Sequence, residues 1–199
     1  MAIEAQEVKK LRERTGAGMM DCKRALQECG GDHERAAEYL RVKGLAAAKK
    51  KSGRATGEGV IASYLHPGDK LGVLVEVNCE TDFVARTGEF REFVKDVAMH
   101  IAAADPLAVT AEEIPAEILE HERAIAAEQA RDQGKPDNIV EKIVDGRMKK
   151  FVAENTLLEQ PFVKDPDRTV REYVEEAIAK LGENIVLKRF ARFKLGEDE

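Results

Sequence analysis

Between residues 70 and 80 the chain alternates without interruption. Leu71, Val73, Val75, Val77 and Cys79 fall on one side, and Lys70, Gly72, Leu74, Glu76 and Asn78 on the other, which is the period of a strand with one buried face. The period then changes: Phe90, Phe93, Val94, Val97, Ala98 and Ile101 recur at helical spacing. A strand feeding a helix holds the intervening loop, Asn78, Cys79, Glu80, Thr81, Asp82, Phe83, Val84 and Ala85, at both ends. That loop sets an acidic residue directly before a large aromatic. Such a loop on a rigid scaffold can form a binding wedge. In the other reading, Asp82 or Thr81 caps a helical turn and Phe83 packs back on the core. Residue physics alone favours packing, because most aromatics in such connections are buried.

The strand 71–80 pairs with a run at 59–65 through His66, Pro67, Gly68 and Asp69, where Pro-Gly suits the centre of a type II turn. Upstream, residues 1–45 read as three short helices. Thr15, Gly16, Ala17 and Gly18 separate the first two, and Gly30, Gly31 and Asp32 the next pair, with glycine ending a helix and Asp32 capping the following one. Val8, Leu11, Met20, Ala25, Leu26, Ala36, Ala37, Tyr39 and Leu40 are the expected core of this head. Residues 46–57, which include Lys49, Lys50, Lys51 and Arg54, read as a basic linker.

Downstream, two helices at 115–133 and 138–154 are joined by Gly134, Lys135, Pro136 and Asp137, a glycine stop followed by a proline and a capping aspartate. Their expected seam is Ile118, Leu119, Ile125, Ile139, Ile143, Met148 and Phe151, and the pair is expected to project. Thr169 and Glu172 form a capping box ahead of a stripe of Val170, Tyr173, Val174, Ala177, Ile178 and Leu181, stopped by Gly182. A final β-rich run, 184–195, shifts its apolar phase between Leu187 and Phe190 as a bulge would make it do. Strands and helices do not alternate, so the fold class is α+β: a three-helix head and linker over 1–54, and a core over 55–199 with a three-stranded antiparallel sheet and the helical hairpin.

Charge is distributed unevenly. The first 54 residues hold 13 Lys and Arg against 8 Asp and Glu, while the chain as a whole carries −6. A basic head on an acidic body points to nucleic acid or an acidic partner. Stacking platforms for nucleic acid need aromatics among the basic residues, however, and the head has only Tyr39, so direct nucleic-acid binding is not expected. Cys22, Cys29 and Cys79 form no CxxC pair and fit reduced core thiols. No apolar run approaches the ~20 residues of a membrane span, and the first thirty residues carry Glu, Lys and Arg in place of an apolar signal core; the expected location is cytoplasmic.

Catalytic signatures are missing. Gly16, Ala17 and Gly18 lack the third glycine and preceding strand of a dinucleotide loop, and no Gly-Lys-Ser/Thr loop exists to cradle phosphate. His33, His66, His100 and His121 have no metal-ligand spacing. Glu120, His121 and Glu122 are adjacent on a helix and point different ways. The reading is a protein that is not an enzyme, with no metal and no cofactor of its own.

Three stretches carry more information together than singly: Val8 to Lys23, containing Thr15, Gly16, Ala17, Gly18, Met19, Met20, Asp21 and Cys22; Val77 to Ala85, containing Thr81, Asp82, Phe83 and Val84; and Gly146, Arg147, Met148, Lys149, Lys150 and Phe151 with Gln160, Pro161, Phe162 and Val163. In this order they resemble the bacterial translation elongation factor Ts family, over essentially the whole chain. The resemblance implies a ubiquitin-associated-like three-helix head, a core used in dimerisation and a projecting helical hairpin. It also implies a partner: the family binds the GTPase elongation factor Tu in its GDP form and releases the nucleotide so that GTP can replace it. By the same resemblance Thr81, Asp82, Phe83 and Val84 are pushed against the GTPase near its magnesium site, and the stretch around Met19, Met20 and Lys23 contacts its nucleotide-binding domain. Longer members have a core of two similar halves, whereas this chain has one set of core strands. A second copy is therefore expected to supply the missing half, as a homodimer, and a free sheet edge makes that physically reasonable.

Overall fold

The computed structural model describes residues 3–197. The head is helical throughout: α1 (Ala5–Thr15), α2 (Met19–Glu28) and α3 (His33–Lys51). Val8, Leu11, Cys22, Ala25, Leu26 and Ala36 form its core. Gly16 closes α1 at φ 68°, a left-handed position that suits glycine, and donates its N–H to the Arg12 carbonyl. Asp32 caps α3, its carboxylate accepting from the N–H groups of Glu34 and Arg35 at 2.9 and 3.0 Å. Two expectations are corrected here. Met20 is 68% exposed instead of buried in the head core. Most of the presumed linker is helix, since α3 runs on to Lys51; the alanines at 46–48 favour helix, and three lysines sit well against the negative end of the helix dipole.

The core begins with β1 (Glu58–Leu65) and β2 (Leu71–Cys79). Their turn has Gly68 at φ 98° and the Asp69 N–H donating to the His66 carbonyl at 3.0 Å, as a type II turn requires. A short turn, α4 (Asp82–Ala85), and a long helix, α5 (Gly88–Ala104), follow. Then come the helical pair α6 (Ala116–Asp132) and α7 (Asp137–Asn155), the strands β3 (Pro161–Phe162) and β4 (Asp165–Thr169), α8 (Val170–Leu181) and β5 (Ile185–Lys194). The main sheet has the order β1-β2-β5. The fold is α+β, with this three-stranded antiparallel sheet as its principal sheet. The antiparallel β3–β4 pair is absent from the sequence reading because Pro161, Asp165, Pro166 and Asp167 are all poor strand formers.

By contacts the described chain forms two compact units. One comprises the chain up to Ile61, Val77–Val94 and Glu172–Val186; the other comprises Ala62–Glu76, Lys95–Arg171 and the chain from Leu187. In the first, Phe90 and Phe93 pack near each other and Phe93 meets Tyr173 with ring centres 5.1 Å apart. Gly44 of α3 lies so close to α8 that a Cβ there would stand 3.2 Å from that of Ala179.

In the second unit, the seam of the helical pair is Ala126, Ala130, Val140, Val144 and Met148, with Leu119, Ala127, Ile143 and Phe151 packed against it. Ile139, expected in that seam, is exposed. Alanines let the two helices approach closely and the adjoining valines fill the contact, so the phase lies one position from the isoleucine stripe. Elsewhere in this unit, His100 is fully buried and fully bonded. Its Nδ1 accepts from the Val163 N–H at 3.2 Å, which leaves the ring proton on Nε2 to be donated to Gln160 at 3.0 Å. The Gln160 amide donates in turn to the carbonyls of Ala104 and Glu154. Burial pushes the His100 pKa down, against the opposing pull of Gln160.

Candidate functional site: the 80–85 turn and the head of α2

The buried side of β2 ends on Cys79, whose thiol donates to the Thr81 carbonyl at 3.1 Å and whose pKa is raised, chiefly by burial. Thr81 then leaves the strand in an extended conformation and caps α4, its hydroxyl accepting from the Val84 N–H at 3.4 Å. Ala85 is buried and anchors the far end of the turn. Thr87 links the turn to α5: its hydroxyl donates to the Val84 carbonyl at 2.8 Å and accepts from the Phe90 N–H at 3.2 Å. The Thr81 cap is the one expected. The packing of Phe83 is not: its side chain stands out from α4, 82% exposed. One turn of helix fixed at both ends has two sides, and with Ala85 on the inner one, Phe83 falls on the outer.

Asp82 lies beside Phe83 and pairs with Arg86 at 2.9 Å, both exposed to solvent. Val84 is half-buried. The turn is gripped from below by residues that no local pattern revealed. Glu183 accepts from the N–H groups of Glu80 and Thr81 at 3.1 and 3.0 Å with one oxygen, and from the Thr81 hydroxyl at 2.6 Å with the other. Glu80 returns the contact, accepting from the Asn184 N–H at 2.6 Å. These partners are over a hundred positions apart in sequence. The only local sign of them is a glycine stop followed by an acidic residue and an asparagine.

The second group of expected residues lies on the first turns of α2. Met19 and Met20 are 44% and 68% exposed, and Lys23 lies one helical turn beyond Met19 on the same side. Gly18 precedes them with no side-chain cap. The structure thus presents two apolar protrusions, Phe83 and the Met19/Met20 pair, each with a charged neighbour. Among the described residues no group of three or more His, Cys, Asp or Glu is placed to hold a metal ion, and no helix is long and apolar enough to cross a membrane.

Residues 34–197 match the family described as "Elongation factor TS". The chain belongs to the elongation factor Ts family. Among its relatives, elongation factor Ts of Geotalea uraniireducens is 62% identical over 197 residues, covering 99% of this chain and 91% of the relative. That of Geobacter sulfurreducens is 60% identical over the same length and coverage. That of Caldanaerobacter subterraneus subsp. tengcongensis is 59% identical over 195 residues, 98% of each chain. The family match covers the turn at 80–85 and Glu183, while Met19, Met20 and Lys23 precede its first residue.

Proposed function

We propose that this chain is a guanine-nucleotide exchange factor for elongation factor Tu, binding its GDP form and speeding GDP release with Phe83 as an apolar wedge. The observation that carries the reading is the exposure of Phe83 on a turn fixed at both ends, in a member of the elongation factor Ts family. Exchange needs no covalent chemistry. A factor that binds the empty GTPase more tightly than the loaded one weakens nucleotide binding by the same ratio. Metal and phosphate contacts supply much of such a site's affinity, so Phe83 pressed near the partner's Mg²⁺, with Asp82 beside it and Thr81 and Val84 forming its base, loosens GDP. Met19, Met20 and Lys23, on a three-helix head of ubiquitin-associated-like form, supply a second contact on the nucleotide-binding domain.

Fluorescent-GDP release from elongation factor Tu tests this. The protein accelerates release, and Phe83→Ala and Asp82→Ala each slow it by at least about tenfold without loss of fold. The slowing is smaller when Mg²⁺ has already been removed by chelator. No acceleration by the unaltered protein would sink the proposal.

We further propose that the working form is a homodimer joined through the core. Leu65 and Leu74 lie on the sheet face opposite the buried Val73 and Val75, and Phe193 of β5 and Leu195 just past its end are also exposed. Such apolar side chains on one sheet suit burial against a second copy. Sedimentation at micromolar concentration gives the dimer mass, and Leu74→Arg with Phe193→Asp gives a monomer; a monomeric unaltered protein with full exchange activity would defeat this part.

A further inference from the structure

We infer that Glu183 is a positioning residue for nucleotide exchange: it holds the 80–84 turn stiff so that Phe83 can press without yielding. The inference rests on the exchange reading above, but its geometry stands apart from it. An exposed phenylalanine has no packing of its own to fix it, so whatever resists its displacement must come from the groups beneath. Those groups are polar here. Gly182, at φ 80°, ends α8 and swings the next residue toward the turn. The Glu183 carboxylate then takes three hydrogen bonds from two successive residues, a strong, charge-assisted arrangement.

The Thr81 hydroxyl makes the link to Phe83. It gives its proton to Glu183 and so turns a lone pair toward the Val84 N–H, the bond that caps α4. Phe83 is the second residue of that single helical turn. Losing Glu183 therefore frees the cap as well as two backbone donors, and the turn carrying Phe83 loosens at its first residue.

The same junction reaches the head. Asn184, 2% exposed, donates its side-chain amide to the carbonyls of Ser52 and Arg54 at 3.4 and 2.8 Å, just past the end of α3. Arg54 meets Glu80 at 3.4 Å. Residues 52–54, 80–81 and 183–184 thus close on one another, and the base of the turn is tied to the last helix of the head. Preorganisation of this kind lets contact energy go into displacing the partner's groups instead of ordering the wedge.

The test compares Glu183→Ala and Glu183→Gln, alone and with Phe83→Ala, by two readings: amide hydrogen exchange of residues 80–86 in the free protein, and the maximal rate and half-saturating concentration of GDP release from elongation factor Tu. Glu183→Ala is expected to speed amide exchange in the turn by at least about tenfold. It is expected to lower the maximal rate about tenfold while moving half-saturation less than about threefold. Glu183→Gln keeps an oxygen for the two backbone donors and restores both readings toward those of the unaltered protein. With Phe83→Ala present, Glu183→Ala adds no further loss, which a general destabilisation would not reproduce. If Glu183→Ala fails to fold, Glu183→Asp, one methylene short, takes its place under the same readings. Unchanged amide exchange, an undiminished loss in the Phe83→Ala background, or a glutamine no better than alanine would each overturn the inference. An unaltered protein that fails to accelerate GDP release sinks the exchange reading and, with it, the role of Glu183 in exchange, whereas normal acceleration with an unaffected Glu183→Ala protein overturns the positioning role alone.

Discussion

Phe83 and Phe162 sit in similar surroundings and have opposite fates. Each lies in a short element, α4 for Phe83 and β3 for Phe162, next to a polar side chain that takes or gives several hydrogen bonds: Glu183 beneath the first, Gln160 with His100 beside the second. Yet Phe162 is 1% exposed and Phe83 82%. Polar fixation therefore does not decide where an aromatic goes. It decides how firmly the aromatic stays where the backbone sends it, inward over the His100 ring in one element, outward on α4 in the other. One element fastens the fold and the other presents a surface.

The sharpest way to break this contrast is to truncate both aromatics. Phe162→Ala should cost about 3–5 kcal/mol of unfolding free energy. Phe83→Ala should change it by less than about 0.5 kcal/mol. Urea denaturation of the two proteins reads both values, and equal losses would erase the distinction. Next in size, Gln160→Leu leaves the Ala104 and Glu154 carbonyls and the His100 N–H without their partner and should cost about 2–3 kcal/mol. Thr81→Ala removes a cap in a more open place and should cost about 1 kcal/mol, measured in the same way.

Acidity separates the two elements further. Because burial lowers the His100 pKa, the unfolded chain takes up a proton there before the folded one does. Stability is then complete above about pH 6.5 and declines as pH falls from that value toward the folded pKa, by at most about 1.4 kcal/mol per pH unit. Urea midpoints at pH 7.5 and 5.5 should show this decline, and His100→Gln should flatten it. The lowered carboxylates, among them Glu7 and Glu34, lose their contribution only as pH falls below the ordinary carboxylate range. The smallest effect belongs to the rim of the wedge: Arg86→Ala breaks an exposed pair with Asp82 and should alter stability by less than about 0.5 kcal/mol in thermal unfolding.

Much of this was legible beforehand, for reasons that differ by element. The β2 alternation and the α5 periodicity read correctly because each buries one face against the core, so period and burial coincide. The Asp32 cap and the Gly182 stop are local chemistry and were equally plain. Of the expected hairpin seam, Leu119, Ile143, Met148 and Phe151 do pack there, but Ala126 and Ala130 carry no signal of their own because small side chains take the close contact. At the end of the head the lysine run signals charge more loudly than helix, yet α3 continues through it to Lys51. At the site, Thr81 was visible as a cap, but the direction of Phe83 depends on how one helical turn is clamped, and the clamp comes from Glu183, far along the chain. Only the resemblance to a family pointed outward.

That Phe83 already stands in water has a consequence in time. A wedge that had first to be drawn out of a core would add a slow isomerisation before or after docking, and the observed rate of association would level off as concentration rose. With the side chain preformed and its turn clamped, association has no such step on this side of the encounter. The plot of association rate against concentration then stays straight, and any curvature in it belongs to the partner.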